Sequence, residues 1–221
     1  MTDREIFDEM ERLREQAGRE GPTPLLLSTF LRLAISLHDR DDRFGYIANA
    51  AEWLATQGRV EDIKLALLLL RTTNPIDKAV TFPAIVSRLV QENLPQKALA
   101  VLAEAEEWAT AFENEPERLE CSCERANFWN DLGDWYDKMG ARDKALTTWA
   151  RATRLAQTHQ YDDETQNMAA CMHLLRQLAK KFITQGNLEA ATSIVESIRN
   201  LKWRDEIASL IAERRKAIAN T

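Results

Sequence analysis

Apolar residues recur at three- and four-residue steps along nearly the whole chain. Ile6, Phe7, Met10, Leu13 and Ala17 give the first segment a single apolar stripe, the pattern of an amphipathic helix. Gly21-Pro22-Thr23-Pro24 interrupts it, and residues 25–37 (LLLSTFLRLAISL) are then apolar on almost every side. A helix of that kind is buried between neighbours or covered by a partner. Further breaks fall near residues 38–43, Gly58, 72–75, 93–95, 114–116, Gly140, 159–163, Gly186 and Asn200. The intervening segments are helix-length, so the pattern predicts about ten helices joined by short turns. Pro95 behind Asn93 reads as a first-turn proline after an N-cap, and Pro83 behind Thr81 predicts a helix starting there.

Composition agrees with an all-α chain. Only seven Gly and six Pro punctuate 221 residues, and none falls between 141 and 185; a many-stranded β fold would need turns far more often. The net charge of −6 argues against nonspecific binding to nucleic acid or an anionic membrane. The longest apolar run, residues 65–70, is six long, against roughly 20 for a membrane span. The first twenty residues are densely charged, and three cysteines are too few for a disulfide framework. The expectation is a soluble cytoplasmic protein.

An internal repeat organises the array. Trp129-x2-Leu132-Gly133-x2-Tyr136, followed by Gly140, Ala145, Trp149 and Ala152, is echoed three times. One echo carries Leu54, Gly58, Ile63, Leu67, Leu70 and Pro75. Another carries Leu89, Asn93, Ala98, Leu102 and Ala105, and the last Leu178, Ala179, Phe182, Gly186, Ala191, Val195 and Ile198. Small residues at Gly133, Ala98, Ala145, Ala179 and Ala191 let paired helices approach, and large ones at Trp129, Tyr136, Trp149 and Phe182 fill the space between pairs. Gly or Asn at 58, 93, 140 and 186 suits a left-handed residue at a helix C-terminus. The frame resembles the tetratricopeptide repeat, with Trp149 in place of the usual Phe. That resemblance implies a single domain, residues 1–221, built as a right-handed α-solenoid of antiparallel helix hairpins. Residues 1–43 form a divergent first hairpin; 44–76, 79–112, 117–158 and 163–202 are the repeats; 203–221 cap the end. The turn-to-turn spacings of 35, 47 and 46 residues exceed the usual 34 or so in the last two repeats, which calls for longer helices or extra loop there.

No nucleotide-binding loop, nucleophile elbow or metalloprotease motif is present, so no catalytic residue, metal or cofactor is expected. Cys121-x-Cys123 with Cys171 and His173 has the right atoms for zinc. Both pairs fall in predicted helices, however, where residues two apart point in nearly opposite directions. Asp41-Asp42, Asp162-Asp163 and Asp205-Glu206 read as helix-opening acidic residues. Residues 104–124 hold eight Glu against Arg118, and residues 199–221 have a net charge of +3; most simply these are solvated faces, with steering of a charged partner as the functional reading.

The first helix of each hairpin in tetratricopeptide arrays lines a concave face that takes up a partner segment. Transferred to this chain, the groove positions are Ala48, Glu52, Ser87, Gln91, Asn127, Asn130, Asp134, Lys138, His173, Arg176, Lys180 and Thr184. Asn130 has the donor and acceptor to clamp a peptide backbone, and Arg176 with Lys180, four apart, can hold a carboxylate. Ala48, Glu52 and Pro83 stand where the family's chaperone-binding members need polar or basic groups, which argues against that ligand. The resulting expectation is a noncatalytic scaffold or adaptor that binds another protein or peptide. A self-associating chaperone or regulator, like the helical-repeat chaperones of bacterial secretion systems, is the alternative raised by residues 25–37, and would be a homodimer. An enzyme on a helical scaffold is the third reading.

Overall fold

A computed structural model describes residues 1–21, 23–57, 60–114, 122–159 and 166–220. Among these it has eleven helices and no strand: α1 Asp3–Glu20, α2 Pro24–Ser36, α3 Arg40–Gln57, α4 Val60–Leu70, α5 Pro75–Gln91, α6 Pro95–Glu113, α7 Ser122–Lys138, α8 Arg142–His159, α9 Gln166–Thr184, α10 Leu188–Ser197 and α11 Leu201–Ala219. Gly58, Cys121, Asp162-Asp163 and three of the acidic-run glutamates (115, 117 and 120) lie outside the described residues. No helix among the described residues is long and apolar enough to cross a membrane.

The starts of the helices are local chemistry. Thr2, Thr23, Asn74, Asn187 and Asn200 each accept a hydrogen bond from a backbone N–H in the first turn of the helix that follows, satisfying donors that have no intrahelical partner. Asp39 does the same for α3, accepting from the N–H groups of Asp41 and Asp42 at 2.8 and 3.0 Å. Three ends share one device. Asn93, Gly140 and Gly186 have φ of 57°, 75° and 78°, as their spacing predicts. In each, the next residue's N–H reaches back to the carbonyl of a buried large residue: Leu94 to Leu89 at 2.9 Å, Ala141 to Tyr136 at 2.8 Å and Asn187 to Phe182 at 2.8 Å. That is the Schellman closure, and it satisfies carbonyls the helix end would leave bare.

Pro83 corrects the sequence reading. It lies inside α5, whose start is set by Asn74 and Pro75. The buried stripe Thr81, Phe82, Ile85, Val86 and Leu89 runs on either side of it, and burial of that stripe outweighs the backbone bond a proline removes.

The residues group into two compact units, Met1–Trp108 and Ala109–Thr221. In the first, α1 packs on α2, α2 on α3, and α3 on both α4 and α5. Ile6, Met10, Leu13 and Ala17 of α1 meet Leu26, Phe30, Leu33 and Ala34 of α2 in one core with Ile47 and Ala50. Phe30 stands 4.7 Å from Trp53 and 5.9 Å from Tyr46, centroid to centroid. The chain's own neighbours thus cover most of the apolar residues of α2, of which Leu25 and Ile35 stay exposed. In the second unit α7 packs on α8 and α9, α8 on α9, and α9 and α10 on each other and on α11. Trp129, Leu132, Tyr136, Ala145, Trp149 and Ala152 of the best repeat are all buried.

One buried group works against the fold of the first unit. Asp77, in the first turn of α5, has a buried Oδ2 without a hydrogen-bond partner. Burial, with Asp41 adding repulsion, pushes its pKa up to about 6. A carboxyl whose folded value lies above its unfolded one opposes folding once it is charged. The penalty is absent below about pH 4, grows as pH rises towards 6 and is constant above. Asp77→Asn should therefore raise stability at pH 7 by about 1 kcal/mol, after allowance for the group's partial exposure, and change it little at pH 4. Urea denaturation at the two pH values checks this; an equal effect at both would rule out titration as the cause.

Candidate functional site

The polar surface that the sequence places on the first helices of hairpins is assembled best between α7 and α9. The close approach begins at Gly133, where a Cβ would overlap Cδ1 and Nε1 of the Trp149 ring. With no side chain at 133, the Trp149 ring of α8 packs closely on α7 and is 2% exposed. Its Nε1–H donates to Asp134 Oδ1 at 3.0 Å. Lys181 of α9 donates to the same Asp134 oxygen and to Asn130 Oδ1 at 2.7 Å, and its Nζ lies 5.5 Å from the Trp149 ring centroid. Asn130 in turn donates to Asp131 at 3.2 Å, and burial raises the Asp131 pKa against the pull of that amide. Charged and polar groups from three helices are thereby satisfied around one indole, as half-buried groups in a low dielectric must be.

Outside this network lies a shallow cleft of about 270 Å³, lined by Asp134, Asp137 and Lys138 from α7, Trp149 from α8, Lys180, Lys181 and Thr184 from α9, and Gln185 beyond it. Lys138 sits over the Trp135 ring at 4.3 Å. Gln185 donates to Asp137 at 2.9 Å, and its carbonyl accepts from Arg142, joining the Gly140 and Gly186 turns at one end of the cleft.

The sequence-derived groove residues do not share one surface. Asp134, Lys138 and Lys180 meet in the cleft, with Thr184. Asn130 is 6% exposed and its amide is occupied, so the expected peptide clamp is a core residue; the frame gives the helix, and the helix's rotation turns this position inwards. His173, Arg176 and again Lys180 face α11. Arg176 donates through Nε and Nη2 to Glu206 at 3.0 and 2.9 Å, and Lys180 Nζ lies 2.7 Å from the same carboxylate. The carboxylate that this pair can hold is the chain's own. The hydrogen bonds from Arg176 and Lys180 hold the Glu206 pKa down at about 2. Glu206 is thus not the helix-opening acid that its position suggests; Asn200 caps α11. Asn127 is exposed and donates weakly to Cys123 Sγ at 3.7 Å.

In the first unit, Glu52 is exposed on α3, Ser87 half-buried on α5, and Ala48 buried. The first unit has a more apolar cleft of about 230 Å³, lined by Ile63 and Leu67 of α4, Leu89 of α5, and Ala100 and Val101 of α6. Arg71 and Glu104 bridge its edge at 2.8 Å.

Cys123 and Cys171 are buried. The hydrogen bond that the Cys123 thiol donates to Cys171, together with burial, raises the Cys123 pKa and keeps it a thiol. His173 points elsewhere, its ring 6.0 Å from Trp203. Among the described residues no three His, Cys, Asp or Glu side chains are grouped to hold a metal ion.

The sequence reading gives Lys181 no role, Trp149 only a packing role, and Glu206 only that of a helix-opening acid. Lys181 had a usable signal, a cation between Leu178 and Phe182 at the edge of a buried stripe. Glu206 had another, since Trp203, Glu206, Ile207 and Ile211 lie on one helical face.

No protein-family model and no curated protein matches the chain. The crystal structure of Ton1535 from Thermococcus onnurineus NA1 aligns with 95% of this chain and 91% of its own, at 13% identity and a TM-score of 0.33, a likeness too loose to carry an argument.

Proposed function

We propose that this chain is a noncatalytic protein-interaction module, a tetratricopeptide-like α-solenoid scaffold that receives a segment of another protein along the α7/α9 face. The observation that carries the reading is the cleft itself: Asp134 and Lys138 of one first helix and Lys180 and Thr184 of the next share it. The three Schellman closures at 93, 140 and 186 support the repeat frame, because each hangs on a buried frame residue. Both carboxylates and ammonium groups line the cleft, which suits an extended polar segment whose backbone and side chains need donors and acceptors together.

The test is selection of displayed random peptides on the wild-type protein, followed by affinity measurement on Lys138→Glu/Thr184→Trp. Both substituted positions are exposed, so this variant should keep its melting curve. Selected peptides should lose about tenfold or more in affinity if the cleft holds their anchors. Equal affinities for wild type and variant would remove the cleft from the function. Asn130→Ala is a poor probe, since it would remove one of the two acceptors that hold Lys181 inside the unit.

A further inference from the structure

Beyond the cleft, α9 carries a second recognition surface that the chain already fills. His173, Arg176 and Lys180 share one face of α9, three and four residues apart. Opposite them, α11 presents Trp203 and Glu206, also three apart. The Arg176 guanidinium grips the carboxylate with two donors, as above, and also covers the Trp203 ring at 5.3 Å. His173 meets the same ring edge-on. A planar cation that reads a carboxylate with its edge and an indole with its face is a specific, two-part recognition.

The hold on α11 is narrow. Of its 19 residues only Ile207 and Ile211 are buried, and every residue from 212 to 220 is exposed. It joins α10 through Ile198, Arg199 and Asn200, the last two exposed. Beyond its first three turns, Arg215 reaches Thr192 at 3.3 Å. Ion pairs at partly exposed positions are screened by salt, so the contact combines two apolar anchors with a tunable electrostatic part. Helices held in this way open locally without unfolding the rest.

We infer that α11 is a displaceable occupant of the His173/Arg176/Lys180 face, and that the partner replacing it is a helix carrying an aromatic residue three positions ahead of an Asp or Glu. Such a helix would reproduce the Trp203 and Glu206 contacts, and its binding would compete with α11 rather than add to it. The inference concerns the α11-facing side of α9, which shares only Lys180 with the α7/α9 cleft, and it stands or falls separately.

The experiment uses the full chain and a labelled synthetic peptide of residues 199–219. The peptide should bind Glu206→Gln protein about tenfold more tightly than wild type, because the resident helix is then the weaker competitor. A peptide with its own Trp203→Ala and Glu206→Gln changes should lose that advantage, and Arg176→Gln protein should bind the unmodified peptide at least about tenfold less tightly than Glu206→Gln protein. Added salt should weaken binding. Amide exchange should quicken in α11 but not in α7 or α8 of Glu206→Gln protein, which separates release from general unfolding. Equal peptide affinity for wild type and Glu206→Gln, or for the two peptides, would overturn the inference. A Glu206→Gln protein that instead dimerises at micromolar concentration by exchanging α11 would name a second copy as the occupant and overturn the external partner. Lys138→Glu should leave peptide binding unchanged, so failure here and failure of the cleft are distinguishable.

Discussion

Trp149→Ala is expected to destabilise the second unit by about 3–5 kcal/mol, as read from urea denaturation followed by far-ultraviolet circular dichroism. The indole is 2% exposed, so its removal leaves a cavity that a layer of helices held by short turns cannot collapse around. The Phe182 ring, edge-on at 6.2 Å, loses its partner. The Asp134 carboxylate loses its indole donor, and Lys181 loses the ring beneath its ammonium, although the Lys181–Asp134 pair itself survives. Trp149→Phe should be milder than the alanine change, because it refills most of the volume and forgoes only the hydrogen bond. A loss below 1 kcal/mol for Trp149→Ala would mean that the indole is not the pivot between α7, α8 and α9.

Gly133→Ala is expected to destabilise by about 2–3 kcal/mol, against the ordinary trend for helices. Inside an exposed helix the same replacement is favourable by up to about 1 kcal/mol, since alanine restricts the unfolded chain and glycine does not. Gly45 in α3 offers that control: a Cβ there meets nothing within 4 Å, and Gly45→Ala should stabilise. At Gly133 the new carbon falls on the Trp149 ring, which is buried and held by Asp134, so the ring or the helix must move. The two changes share one contact and should not add. Gly133→Ala combined with Trp149→Ala should cost clearly less than the sum of the singles; strict additivity in equilibrium unfolding would show that the clash is not with this ring.

How much of this could be read beforehand depends on whether a property is local. The helix ends were legible because a positive φ, an N-cap and a first-turn proline are settled within four residues, as at Asn93, Gly140 and Asn200. Burial along the repeat frame was legible too: Leu54, Leu89, Leu102, Leu178 and Phe182 are core residues, and Leu67 and Val195 alone among the large frame residues are half-buried. Pro83 misled because a local signal met a longer apolar stripe, and the stripe won. The site was legible only to the level of which helix. Asn130 turns inwards and Arg176 turns to α11 because of how each helix is rotated against its neighbour. Spacing within one helix carries no information about that rotation. Glu206 belongs to a pair separated by 30 residues; its neighbours Trp203, Ile207 and Ile211 mark the packed face of α11, but they do not name the partner.

The pairing of helices with their near neighbours in the chain bears on how the molecule is made. Low contact order means that little chain entropy is lost before native contacts begin to form, so folding is fast and each pair can form as it is completed. On a ribosome, α7 and α8 would close around Trp149 while α9 is still being synthesised, and the Asp134 carboxylate would await its lysine in water. The order of synthesis is thus also the order in which the polar network is assembled, and until α9 is made the side of that hairpin that receives Phe182 stays uncovered.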